Sequence, residues 1–329
     1  MQQETSHAIR LAGFLREQVD GFAIDLDGRT ISIQAENANR GWIGNLLREA
    51  SHGIETERII ESQPPDLRDA ATELIARLLE DHAIVRSEPD PPMSGLAAVL
   101  MLEGTIDRLC STTLERNPFW NACIAAKNRG DVPDRVVIGM VIENWHFLHR
   151  EAYFDAPVLG YVPNLAVRQS MNAFFSEEYG HDEILLRSLN AVGISRDEMY
   201  DSAPLPATMG LCNALAHWSH YDPMFFFLTM GVLEGQGLRS DSFLDACERM
   251  SWPHGFIAPL RAHSMLNIKG EHGNLTRKLF VQMPLLAASE VRRLRGKLSS
   301  FVEIYDAFYR QVFSHYSSTS RQLRRISNW

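Results

Sequence analysis

The chain has 329 residues, 45% of them hydrophobic and 22% charged, with a net charge of −9. That is ordinary for a globular protein of one or two domains, and the acidic balance argues against a nucleic-acid or anionic-membrane partner. Four scattered cysteines, Cys110, Cys123, Cys212 and Cys247, form no Cys-x-x-Cys pair, which argues against a thiolate zinc or redox site and suits reduced thiols in a cytoplasmic protein.

Met1 to Ser6 has no basic patch followed by an apolar core, so a secretory signal is not expected. No apolar run is long enough to span a bilayer. The spacing from Ile9 to Val19 suggests a short helix. Phe22-Ala-Ile24-Asp-Leu26, Asp27-Gly28 and Thr30-Ile31-Ser-Ile33 then read as strand, turn and returning strand. Three helical patterns follow: around Trp42 to Leu47, from Thr56 to Ser62, and from Leu67 to Leu79. Ala83-Ile84-Val85 suggests a closing strand. Glu88-Pro-Asp-Pro-Pro92 stiffens the chain and breaks any helix, so residues 1–92 are expected to form a small α+β, winged-helix-like domain.

From Met93 to residue 329 the pattern is almost wholly helical. Helices are expected at about 94–115, 134–154, 165–190, 205–218, 224–235, 241–250, 256–282 and 287–316. Three stretches pair an acid with a histidine. In the first, Glu143 and His146 lie three apart beside the apolar face of Ile138, Val141, Ile142 and Trp145; a helix with surface histidines fits this stretch equally well. In the second, Phe174, Glu178, His181, Leu185 and Leu189 share one helical stripe, so Glu178 and His181 are expected to be buried. A buried carboxylate needs a cation or a metal; the alternative is a buried Arg for Glu178 and a satisfied core histidine. In the third, His263, Asn267 and Glu271 are spaced i, i+4, i+8, with His272 next along. His217 and His220 read as peripheral, and Glu234 sits in an apolar setting that would bury it. Phe225, Phe226, Phe227, Trp252 and His254 are pocket candidates.

Two resemblances follow from these residues. Residues 20–86, through element order and the pattern Leu46-Leu47, Gly53-Ile54, Leu78-Leu79, resemble the peptide-recognition modules related to the pyrroloquinoline-quinone chaperone protein. Those bind leader peptides of ribosomally made peptide natural products. Residues 93–320 resemble the heme-oxygenase-like fold, whose members include TenA-type thiaminases, pyrroloquinoline-quinone synthase and diiron oxidases and oxygenases. Glu143-Asn-Trp-His146 and Glu178-Tyr-Gly-His181 resemble the family's first and second ligand helices, and His263-x3-Asn267-x3-Glu271 its third. The third departs from the family pattern: Asn267 stands where an acid is usual, and Glu271 where a histidine is usual. The position seven after Glu143, where another branch has its histidine, is also departed from, and Arg150 stands there.

The resemblance implies an all-α domain holding one or two non-heme iron ions, with O2 as co-substrate. Glu143, His146, Glu178, His181 and His263 would be ligands, Glu271 or His272 would complete the set, and Glu143 and Glu178 would be the catalytic carboxylates. It implies oxidation of an amino-acid-derived or peptide substrate in specialised metabolism, by a homodimer. The alternatives are a metal-independent enzyme of the same fold, with Cys212 or Cys110 as nucleophile, and a non-catalytic scaffold or regulator.

Overall fold

A three-stranded antiparallel meander forms first. Strand β2 (Phe14–Gln18) pairs with β3 (Gly21–Leu26), and β3 with β4 (Arg29–Gln34). The computed structural model describes residues 8–26, 28–87, 91–161, 163–234, 242–270 and 272–328. The turn residue Asp27 and residues 88–90 of the proline-rich stretch lie outside them. A second small sheet has the order β5-β1-β6, from Ile54–Glu55, Ala8–Leu11 and Ile84–Ser87. Helices α1 (Asn37–Ser51), α2 (Thr56–Glu61) and α3 (Arg68–Glu80) complete this part. Phe22 and Ile24 of β3 bury against Leu46 and Leu47 of α1 and Ile75 and Leu78 of α3.

One element here departs from the sequence reading: 9–19 is two strands, β1 and β2, and not a helix. Gly13 lies between them so close to the backbone of Asp25 that a Cβ would overlap its carbonyl. Hairpin pairing of β2 with the adjacent β3, and of β1 with the distant β5 and β6, overrides the local helical spacing.

The chain divides into two compact units, Met1–Pro92 with Ala287–Arg292, and Met93–Leu286 with Arg293–Trp329. The second is helical: α4 (Gly95–Thr113), α5 (Pro118–Ala125), α6 (Asp134–Leu148), α7 (Glu151–Asp155), α8 (Leu165–Glu178), α9 (His181–Asn190), α10 (Arg196–Tyr200), α11 (Pro206–Tyr221), α12 (Pro223–Leu233), α13 (Ser242–Arg249), α14 (His254–Lys269), α15 (Leu275–Val281) and α16 (Ala288–Ser318). Helix α6 is buried nearly all round, from Val136 to Phe147, as befits a central helix. Helix α9 packs against both α6 and α14. Ser188 of α9 donates a hydrogen bond to the Phe256 carbonyl of α14.

Three expected helices are each broken in two, the first being 134–154, which stops at Leu148 and restarts at Glu151. The stretch 165–190 stops at Glu178 and restarts at His181, because Gly180 takes φ +92°, a left-handed conformation that ends a helix. The stretch 256–282 ends at Lys269 before Gly270 and resumes at Leu275. Helices α5 and α10 were not expected; each begins with a side-chain cap, Asn117 and Ser195. No helix of the described residues is long and apolar enough to cross a membrane.

Candidate metal centre

Glu143 and His146 sit in the middle of α6, both essentially without solvent exposure. Every polar atom of the pair has a protein partner. Tyr316 donates to Glu143 Oε1 at 2.8 Å, and the Leu205 amide and the Thr208 hydroxyl donate to Oε2 at 2.9 and 2.5 Å. Gly139, one turn earlier, makes room for this: a Cβ there would overlap the Tyr316 ring. Burial raises the Glu143 pKa, and these three donors and Arg324 oppose the rise.

His146 Nδ1 accepts from Arg150 at 3.1 Å, and Nε2 lies 3.0 Å from the Ser202 hydroxyl, which itself donates to the Met199 carbonyl. That network assigns the proton to Nε2. Burial first, then Arg150, His149 and Arg324, pulls the His146 pKa down to about 3. The imidazole is neutral and fully engaged.

Glu178 and His181 differ. They flank the Tyr179–Gly180 break, where α8 hands over to α9, and both are buried. His181 Nδ1 lies 2.6 Å from Glu178 Oε2 yet makes no hydrogen bond there in acceptable geometry. The half-buried His263 of α14 turns its ring edge-on to that of His181, with centroids 4.9 Å apart. Glu178, His181 and His263 each offer a ligand atom within 4.8 Å of the others, the one such group among the described residues. Two imidazoles and a carboxylate with close-set donor atoms can bind a divalent transition metal.

Two further acids are buried on α7, Glu151 and Asp155, one turn apart. Burial raises both pKa values well above normal. For Glu151, Asp155, Glu178, Glu234 and Asp182 push further; for Asp155, Glu234 and Glu178 do. Asn267 of α14 donates to Glu234 Oε2 at 2.8 Å. A cavity of about 270 Å³ opens beside His263, Asn267 and Glu234, walled by apolar side chains including Phe147, Leu185, Leu211 and Trp120. Tyr309, which donates to the Tyr305 hydroxyl at 2.7 Å, lines it with Tyr305.

The expected five-residue convergence is therefore corrected. Glu178, His181 and His263 come together, whereas Glu143 and His146 are taken up by Tyr316, Thr208, Leu205, Ser202 and Arg150 and do not join them. Glu271 lies outside the described residues, and of His272 only the backbone is described. The pocket candidates Phe225, Phe226 and Phe227 are core residues of α12, and Trp252 is buried beneath Arg129; none lines the cavity, nor does His254. His217 and His220 are exposed. Glu234 is half-buried and lines the cavity.

The sequence reading missed Glu151 and Asp155. Their i, i+4 spacing beside Phe154 was the available signal, and the prediction of one uninterrupted helix over 134–154 obscured it. Cys110 and Cys212 are buried, and burial pushes both thiols up to about 12, the reverse of what a thiolate nucleophile needs.

No family model matches the sequence, and no curated protein matches it. Solved structures do. A domain of unknown function with a heme oxygenase-like fold from Shewanella denitrificans superposes with a TM-score of 0.56 at 17% identity, over 67% of this chain and 93% of that one. The chain has the heme-oxygenase-like fold. A TenA homolog from Pseudomonas syringae matches with a TM-score of 0.50 at 13% identity, over 69% of this chain and all of the homolog. At such identities the likeness concerns the fold; the chemistry must be argued from the site.

Proposed function

We propose that the protein is a non-heme iron-dependent, O2-using oxidase or oxygenase acting on an amino-acid-derived or peptide substrate. The observation that carries this is the Glu178–His181–His263 group, whose His263 lines an apolar cavity. Two histidines and one carboxylate are the donor set of many non-heme iron oxygenases, and here the three groups offer ligand atoms within 4.8 Å of one another.

In this reading Glu178, His181 and His263 hold iron, and Glu271 or His272 remains a candidate to complete the set. Bound iron would supply the activation of O2 needed to oxidise an amine, a C–H or a C–C bond. The remaining work falls to the chain's own groups. Phe147, Leu185 and Leu211 exclude water from the cavity. Asn267 fixes one oxygen of Glu234 at the cavity's edge, and that carboxylate would orient a polar or cationic substrate group. The smaller unit would hold a peptide or carrier-borne substrate.

The test is anaerobic loading with Fe(II) followed by exposure to O2, monitored by absorbance. Wild type is expected to develop an O2-dependent band that His263→Ala lacks. Metal content at background, with no effect of Glu178→Gln or His181→Ala, would overturn the reading; so would full activity after chelation.

A further inference from the structure

The charges around the cavity beside His263 are of one sign. Its wall holds two carboxylates, Glu115 and Glu234, and among the described residues no Lys or Arg. Glu115 is exposed and Glu234 half-buried. Asn267 gives its amide N–H to Glu234 Oε2 at 2.8 Å, while its own Oδ1 is buried with no donor. Hydrogen-bond acceptors are therefore in excess at this end of the cavity. Six aromatic rings add to the wall. Trp120 and Tyr305 each stand edge-to-face with Tyr309, at centroid separations of 4.8 and 4.9 Å. The faces of such rings attract cations. An anion here would meet like charge, with no basic side chain but His263, a metal ligand in the reading above, and burying it so is costly. The volume of about 270 Å³ lies just under the usual range for small-molecule sites, about 300–1,000 Å³, so the occupant is compact.

We propose that this cavity takes a small organic cation, an amine with an apolar body and no free carboxylate, its ammonium directed to Glu234. An ammonium carries three donors and no acceptor, the complement of this wall. The inference rests on reading the cavity as the substrate site of the iron enzyme, and it narrows that substrate to amines whose carboxylate is missing or masked. A residue within a peptide, or an amino acid held on a carrier, meets the same requirement because its carboxyl is tied up in an amide or ester.

Metal-free full-length protein is titrated by calorimetry at neutral pH with 2-phenylethylamine, phenylalanine, 3-phenylpropionate and 2-phenylethanol, which share an aromatic body and differ in charge. The amine should bind tightest, with phenylalanine and 3-phenylpropionate each weaker by about tenfold or more. Glu234→Gln should weaken the amine by about tenfold and leave the alcohol unchanged. Glu115→Gln changes an exposed position and leaves folding alone; it should weaken the amine by about twofold and flatten its salt dependence. If Glu234→Gln does not fold, the ranking of the four compounds together with Glu115→Gln decides the matter.

Binding of the alcohol or of 3-phenylpropionate as tightly as the amine would overturn the proposal, and so would no binding of the amine or an unchanged amine affinity in Glu234→Gln. Iron retained after Fe(II) loading is measured on the same preparations. Loss of the amine preference with iron retained would overturn this inference alone. The preference without iron retention would sink the oxygenase reading alone and leave the cation site standing.

Discussion

Two buried acid–histidine pairs with the same i, i+3 spacing lie in this bundle, and their surroundings are opposite. Glu143 and His146 on α6 meet a donor or acceptor at every polar atom. Glu178 and His181, across the α8–α9 break, approach each other without hydrogen bonding and face a second histidine. Spacing reports which side chains can meet; it does not report whether their hydrogen-bonding capacity is already used.

The contrast makes opposite predictions for the two pairs. Glu143→Ala strands the donors of Leu205, Thr208 and Tyr316 in the core, and should cost about 3 kcal/mol of stability. Chemical denaturation measures that loss, while iron binding by the folded fraction stays intact. Acid should act through the same pair. His146 is neutral in the fold at any pH above about 3 but takes up a proton near 6.5 when unfolded. Its contribution is fully present above pH 6.5 and is lost as pH falls toward 3, at about 1.4 kcal/mol per pH unit. Stability curves of His146→Gln should be flatter than wild type across that window, and identical slopes would contradict the assignment.

Smaller effects sharpen the other side. Asn267→Asp adds a carboxylate beside Glu234 and the Glu178 group. It should lower metal-free stability through like-charge repulsion and raise divalent-metal affinity by about tenfold, read by calorimetry. Gly180→Ala forces a Cβ into a left-handed backbone at an otherwise open position. It should cost about 1 kcal/mol and loosen iron binding, because the residue sits at the hinge that brings His181 onto Glu178.

Much of the bundle was legible because helical periodicity survives in a single sequence. The stripe of Leu294, Leu298, Phe301, Val312 and Tyr316 along α16 is an example. Burial of Glu178 and His181 followed from the stripe shared with Phe174 and Leu185, although a break at Gly180, and not a continuous helix, is what joins them. Burial of Glu143 and His146 was harder to read, since α6 is apolar on nearly every side and offers no single face. Their satisfaction by Tyr316, Thr208 and Ser202, residues 56 to 173 positions away, is a tertiary fact with no local signal. The strand at 8–11 was missed for the same reason, since its partners at 54–55 and 84–87 lie far along the chain; the strand at 14–18 pairs with its neighbour at 21–26, and there the helical spacing masked a hairpin.

The most direct test is iron retained per chain after anaerobic Fe(II) loading and desalting, for wild type, His263→Ala and Glu143→Gln. Wild type and Glu143→Gln should retain iron equally, and His263→Ala should retain little. Loss of iron in Glu143→Gln with retention in His263→Ala would contradict the placement of the metal at Glu178, His181 and His263.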